Sequence, residues 1–233
     1  MWGYMKKEIL KYLNQDYLNN LDLIYAINHG ASIIYFSNEG IMIKFGDIYM
    51  ISITNTDLGY QLLNDLDDCK MLAIHNDCYQ SFIKERFNLA QEIVAYQYGY
   101  LKDYVTINDI PQIEVKEIGM EYYNFIKQNY STPIDEEYLI KRIQANVFIG
   151  AFDHDKIVGF AGIHDEGSIG FVEVIKEYRR KGIARMLETY MIDKLLKKKE
   201  LVYLQVEIEN IPSIKLHEKL GYKRSNDIIT WYI

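Results

Sequence analysis

The sequence predicts an α/β (α+β) chain in which strands and helices are mixed, giving a mixed sheet flanked by helices and preceded by a smaller α/β domain. Short β-branched runs bounded by turn residues alternate with stretches whose apolar side chains recur at helical spacing. Of the 233 residues 49% are apolar, enough for one large domain or two small ones with real cores. A polar, turn-rich stretch at 102–111 interrupts the pattern. It places a first domain at 1–104, a linker at 105–111 and a second domain at 112–233.

In the first domain, residues 6–28 carry a helical apolar pattern. Strands are expected at 33–36, 41–45 and 48–53, separated by the turn signals Asn38-Glu39-Gly40 and Gly46-Asp47. Asp57 reads as the N-cap of a helix running to Leu66, 71–74 as a strand, 77–87 as a helix and 92–100 as an alternating strand. In the second domain, helices come first at 119–129 and 135–146, the latter announced by Pro133 and the acidic first turn Asp135-Glu136-Glu137. Residues 147–152 and 156–163 form a hairpin around Asp153-His154-Asp155, and a turn at 165–168 leads into the apolar strand 169–175. After a basic turn, Ala184, Leu187, Met191 and Leu195 mark one face of a helix, and Lys197-Lys198-Lys199 complement its C-terminus. Strict alternation of Val202, Leu204, Val206 and Ile208 marks a strand. A helix at 213–220 is stopped by Gly221, and 228–233 closes the sheet.

Residues 70–100 and 201–233 share an order: strand, turn (holding Asn76 in the first), short helix, strand. Duplication and chance echo both stay open. If the halves are duplicated, the first has lost an anion loop, because Thr54-Asn55-Thr56-Asp57-Leu58-Gly59-Tyr60 has no basic residue and carries an aspartate.

The segment Arg179-Arg180-Lys181-Gly182-Ile183-Ala184 joins the strand 169–175 to the following helix. A strand, a short basic turn and a helix aim unpaired backbone amides and the positive end of the helix dipole at a phosphate. Gly182 and small Ala184 allow close approach, while Arg179, Arg180, Lys181 and Arg185 add charge-assisted hydrogen bonds. Taken alone, the loop equally suits a solvated basic turn; it lacks both GxxxxGK[ST] and GxGxxG.

The net charge of −7 gives no support to nucleic-acid or membrane-surface binding, and it suits a cationic amine partner. No apolar run is long enough for a membrane span, and the charged start Lys6-Lys7-Glu8 is unlike a signal peptide. Two cysteines, Cys69 and Cys78, are too few for a disulfide framework, so a reducing cytoplasm is expected. His75, His154 and His164 are too scattered for a metal site, and none is expected. Abundant Ile, Lys, Asn and Tyr point to an AT-rich bacterial source.

Over residues 112–233 the chain resembles the GNAT superfamily of N-acetyltransferases. Val174-Ile175-Lys176-Glu177-Tyr178-Arg179-Arg180-Lys181-Gly182-Ile183-Ala184 is similar to that family's acetyl-CoA signature, a strand followed by Arg/Gln-x-x-Gly-x-Gly/Ala. Asn210-Ile211-Pro212-Ser213-Ile214-Lys215-Leu216-His217-Glu218-Lys219-Leu220-Gly221-Tyr222 resembles its second signature, in the right order and separation. The first half and the Gly-Ser-Ile-Gly-Phe-Val-Glu-Val entry to the loop resemble a bacterial branch with an extra N-terminal domain. The resemblance implies a GNAT-like mixed, splayed β-sheet flanked by helices, with a degenerate GNAT-like half as one reading of the first domain.

It also implies acetyl-CoA as co-substrate, with its pyrophosphate on the amides of 179–184 and its pantetheine arm on the backbone of Val174 and Lys176. The Val174 N–H would polarise the thioester carbonyl. Glu173 resembles the family's carboxylate base; on a mostly apolar strand it would be desolvated and therefore a better base, a solvated surface residue being the alternative. His217 stands where many members have the tyrosine that protonates the leaving thiolate, and it reads equally as proton donor or as helix-surface residue. Asn210 binds the cofactor or positions the adjacent loop; Ser213 lies near CoA or caps its helix. No cysteine follows Cys78, which favours direct attack on the thioester over an acyl-enzyme. The acceptor is a small-molecule or peptide amine chosen by loops such as 129–135 and 164–168. A homodimer is compatible with the sequence. A second class is a non-catalytic acyl-CoA-binding module.

Overall fold

The computed structural model describes residues 2–75, 77–87, 89 and 91–233. Its elements, in chain order, are α1 (Trp2–Leu13), α2 (Leu21–Asn28), β1 (Ser32–Ser37), β2 (Gly40–Phe45), β3 (Ile48–Ile53), α3 (Thr56–Asn64), β4 (Met71–Ile74), α4 (Gln80–Phe87) and β5 (Glu92–Gly99). The second half adds β6 (Ile113–Ile118), α5 (Tyr123–Asn129), α6 (Glu136–Gln144), β7 (Phe148–Asp153), β8 (Lys156–Ile163), β9 (Ile169–Val174), α7 (Ile183–Lys197), β10 (Tyr203–Glu207), α8 (Ile211–Leu220) and β11 (Lys223–Tyr232). The expected α/β class with a mixed sheet is what the chain adopts.

Two compact units emerge, and they do not follow a linear cut. The first holds residues 1–99, 205–215 and 223–233; the second holds 100–204 and 216–222. The C-terminal strand is the reason, since β11 runs antiparallel to both β4 (Trp231 opposite Ala73) and β5 (Ile229 opposite Ala95). The segment expected as a free linker is also tied down within the second unit. Asn108 donates its amide to Thr189 Oγ1 (3.1 Å), and the Tyr190 hydroxyl donates to Asp109 (2.9 Å).

In the first unit β1, β2 and β3 form an antiparallel meander, and β4 runs parallel to β3. The helix expected over 6–28 is two helices. Between them the Asn20 carboxamide donates to the carbonyls of Leu13 and Asp16 (both 3.0 Å), so a side chain takes over acceptors at the end of α1. Asn55, rather than Asp57, caps α3 by accepting the Leu58 amide (3.2 Å). The Asn55 amide group in turn donates to Glu39 Oε1 (2.7 Å), and Thr54 bonds the Glu39 carbonyl. That helix start is capped and acidic, which suits no anion. Asn76, in the turn of the internal echo, lies outside the described residues. The echo's elements, β4-α4-β5 and β10-α8-β11, do share one order.

A fully buried Asp22 anchors this unit's polar interior. It accepts from Leu23 N (2.8 Å), Gln97 Nε2 (3.1 Å) and His75 Nε2 (3.0 Å). Gln97 also donates to the Asn19 carbonyl (2.7 Å).

In the second unit β6, β7, β8 and β9 form an antiparallel sheet, with β10 parallel to β9 at its far edge. Strand β6 was not expected from the sequence: its Ile-Glu-Val-Lys-Glu-Ile alternation abuts the polar segment and is only half-buried. Asp135 caps α6, accepting the Tyr138 amide at 2.8 Å. The buried stripe Ile183, Met186, Leu187, Met191, Ile192 and Leu195 lays α7 on β7, β8 and β9. Phe148, Phe160 and Phe171 meet the apolar faces of α5 and α6 at Ile126, Leu139 and Ile143.

Burial alone would push the His75 imidazole's pKa down, but the charge and hydrogen bond of Asp22 outweigh it, and the pKa is raised above its ordinary value. A raised histidine pKa adds stability that is whole below the unfolded value of about 6.5 and is lost as pH climbs through the folded value. Unfolding of wild type in urea should therefore shift to lower denaturant as pH rises from about 6 to 8, while His75→Gln should lose this slope. Parallel pH dependence in the two proteins would show that the pair does not carry it.

Candidate active site

The register of β9 decides which of its groups face the rest of the site. The Ile175 amide donates to the Val158 carbonyl (3.0 Å), so 173 and 175 bond toward β8 while the Val174 N–H and C=O point to the opposite edge. Along that edge the parallel ladder with β10 is confined to Leu204 opposite Ile169. The strands therefore pair only at the start of β9, as a splayed sheet requires. A bulge sits midway: Phe171 and Val172 together oppose Ala161, and Phe171 takes the left-handed φ of 53°. Such a conformation costs a bulky residue on the order of 1–3 kcal/mol, and burial of the Phe171 ring against Phe148 and Tyr130 holds it in place.

After β9 a short 3-10 turn, Lys176–Tyr178, leads into the basic loop. Lys176 therefore lies past the end of the strand, and its carbonyl accepts the Arg179 amide (3.3 Å). The strand edge expected to reach Lys176 stops at Val174. The backbone then turns twice through positive φ, at Arg180 (62°) and Gly182 (88°). Gly182 is required by this φ rather than by space, since the nearest heavy atom to an added Cβ would lie 3.5 Å away. No side chain caps α7, whose first helical bond runs from the Met186 amide to the Gly182 carbonyl (3.0 Å). The amides of 183–185 precede that first helical bond and have no acceptor within the helix. That is the state in which a helix start can take an oxyanion.

These residues surround a cavity of about 350 Å³, lined by Val174, Arg179, Arg180, Gly182, Ile183 and Ala184 together with Tyr178, Arg185 and Leu216. Most of the expected phosphate-binding residues are thus brought together. Lys181 instead lays its ammonium over the Tyr178 ring, 4.4 Å from the centroid. The Tyr178 hydroxyl donates to Asp153 Oδ2 (2.7 Å).

Glu173 is largely withdrawn from water on its apolar strand, but it does not lack partners. Its Oε1 accepts hydrogen bonds from the amide (3.1 Å) and the hydroxyl of Ser131, and its Oε2 stands 3.8 Å from Arg179 Nη2. The side chain is 13% exposed. Arg179 Nε also donates to the Val174 carbonyl (2.9 Å). Ser131 was out of reach of sequence reasoning because it lies 42 positions from Glu173.

His217 is neither at the helix surface nor on the cavity wall. It is 5% exposed, with Nε2 3.0 Å from Oε1 of Glu188, itself buried on α7. The Tyr222 ring packs edge-on against it (5.5 Å), its hydroxyl held well above the ordinary pKa by burial and by the neighbouring Glu188. Leu216, one residue earlier, takes the place at the cavity. Asn210 is the cap of α8: its side chain accepts the Ser213 amide (3.2 Å). The cap is therefore Asn210, and both residues belong to the first compact unit. In the turn after β8, the half-buried His164 stacks on Phe171 and is bonded through Nδ1 to the Tyr138 hydroxyl (3.0 Å). Burial, with the charge of Arg142, pushes its pKa down to about 4, so it is neutral. Among the described residues no cluster of His, Cys, Asp or Glu could hold a metal, and no helix is long and apolar enough to cross a membrane.

The profile of the acetyltransferase (GNAT) family matches residues 113–222. The chain is 25% identical over 150 residues to N-alpha-acetyltransferase 30 of Schizosaccharomyces pombe, covering 60% of this chain and 89% of that protein. It is 30% identical over 122 residues to the N-alpha-acetyltransferase of Saccharolobus solfataricus, covering 51% of this chain and 65% of that one. An X-ray structure of a Drosophila protein superposes with a TM-score of 0.68 at 15% identity, over 98% of this chain and 86% of that one. A tandem GNAT protein from the clavulanic acid biosynthesis pathway superposes with a TM-score of 0.51 at 12% identity, over 92% of this chain and 87% of the other. With the splayed β9 edge, the uncapped basic turn and the second signature on α8 all in place, residues 113–222 are a GNAT acetyltransferase domain.

Proposed function

We propose that the enzyme transfers the acetyl group of acetyl-CoA to the α-amino group of a peptide or protein by direct attack on the thioester. The observation that carries this reading is the uncapped amide array around left-handed Gly182, opening on the same cavity as Val174, next to Glu173. The amides of 180–185 with Arg179, Arg180 and Arg185 would hold the pyrophosphate, and the outward N–H of Val174 would polarise the acyl carbonyl. Glu173 would take the proton of the acceptor ammonium.

Two considerations support an α-amine. Both curated relatives are N-alpha-acetyltransferases by name. In addition, an α-amino group has a pKa of about 7.7–8.0 against about 10.4 for lysine. The lower value leaves a larger fraction of the amine unprotonated near neutrality, so less is asked of a carboxylate base. Departure of CoA needs little help, since an ordinary thiol has a pKa of about 8.5 and leaves as thiolate near neutrality. A small-molecule amine is the alternative acceptor. The engagement of His217 with Glu188 favours a second reading, a non-catalytic acyl-CoA-binding module. By its capped, acidic α3 start, the first unit is assigned no CoA, and the tandem GNAT likeness supports reading it as a degenerate GNAT-like half.

Gly182→Val should fold but lose acetyl-CoA binding in calorimetry, because a β-branched residue resists φ near +88° at a cost of roughly 1–3 kcal/mol. Unchanged affinity would remove the loop from the cofactor site. Glu173→Gln should keep acetyl-CoA affinity and lower kcat by roughly 10²–10⁴-fold at neutral pH, the gap narrowing as pH approaches that of the free amine. Wild-type turnover in that variant would exclude Glu173 as base, and no CoA release from acetyl-CoA by the wild type with any amine acceptor would select the non-catalytic reading. Peptides with a free α-amine should be acetylated in preference to N-terminally blocked peptides carrying lysine; the reverse order would overturn the α-amine assignment.

A further inference from the structure

The loop that follows α5 reaches across to the strand that carries the base, and its contact is unusually specific. Glu173 is nearly buried, yet one of its oxygens takes both donors of a single residue, Ser131: the amide at 3.1 Å and the hydroxyl. Ser131 itself is exposed and lies between α5 and α6, so it contributes little to the core. Two donors on Oε1 fix the plane of the carboxylate and leave Oε2 as its available basic oxygen. The one charged group near Oε2 among the described ion pairs is Arg179, at 3.8 Å and more than half exposed.

We infer that Ser131 is a positioning residue for acetyl transfer: it clamps Glu173 Oε1 so that Oε2 faces the acceptor amine. This rests on the reading of Glu173 as base. The proton step balances simply. The acceptor ammonium gives one proton to Oε2, keeps the N–H electron pair and becomes the neutral nucleophile, while Ser131 keeps both of its own protons. Because Ser131 belongs to the loop 129–135, the same clamp ties that segment of the acceptor side to the base. Without the hydroxyl, the carboxylate keeps only the backbone donor and can rotate, so that Oε2 is correctly aimed for a smaller fraction of encounters.

The test is steady-state kinetics on the full-length chain with acetyl-CoA and an acetylatable amine, comparing wild type, Ser131→Ala, Ser131→Thr, Glu173→Gln and the double variant Ser131→Ala/Glu173→Gln. Ser131→Ala should lower kcat roughly tenfold, the usual effect of one hydrogen bond to a charged group, with the KM for acetyl-CoA unchanged. Ser131→Thr, which restores a hydroxyl, should recover most of that loss. In the Glu173→Gln background the Ser131→Ala change should cost nothing further, because there is no carboxylate left to aim. Equal losses from Ser131→Ala in both backgrounds, or no rescue by threonine, would overturn the proposal while leaving Glu173 as base. A fully active Glu173→Gln would instead overturn the underlying reading. Circular dichroism and a thermal melt of Ser131→Ala separate misfolding from mispositioning; should alanine unfold the chain, Ser131→Gly, which also lacks the hydroxyl, compared in the two Glu173 backgrounds decides.

Discussion

A helix that begins without a cap leaves its first amides looking for an acceptor, and in the second unit the sequence withholds one by design of the backbone. Gly182 adopts a left-handed conformation where a serine or aspartate would otherwise cap α7, and Arg180 does the same two residues earlier. The strand before the turn must also stop pairing, or the amides would open onto a closed sheet. The bulge at Phe171 and Val172 and the single register pair with β10 accomplish this. The proposed phosphate recognition, thioester polarisation at Val174 and presentation of Glu173 would all depend on that turn and edge.

In the first unit the start of α3 shows the opposite local choice. There Asn55 caps α3 and Glu39 closes over the cap, so the helix start is satisfied from within the protein. A single cap side chain and one acidic neighbour are enough to make a helix start unfit for an anion.

Buried ionisable pairs supply specificity in each unit. Asp22 with His75 organises the polar interior of the first, with Gln97 and Asn19 satisfying the remaining groups. Glu188 with His217 fixes α8 to α7 in the second. A buried pair is costly to break because the survivor is left uncompensated, so such pairs specify which helices meet even where they add little net stability. For His217 this has a direct consequence. A histidine held against a buried carboxylate is occupied as a structural partner, in the position where a tyrosine resembling the family pattern would serve as proton donor.

The sequence by itself determined the α/β class, most elements and the basic turn, because these rest on local periodicity, on a glycine at the left-handed start of α7 and on charges clustered within a few residues. It failed where distant groups compete with local ones. Asn20 broke the first helix by taking carbonyls at Leu13 and Asp16, and Asn55 displaced Asp57 as cap. The strand 113–118 was hidden by its half-exposed alternation, and 223–227 joined β11 through pairing partners far away in sequence. Tertiary structure alone decided the site's polarity: whether Glu173 is unpartnered or clamped depends on Ser131, and whether His217 is exposed depends on Glu188. Residue type and spacing fix what a side chain can donate or accept; only the packed chain fixes which partner reaches it first.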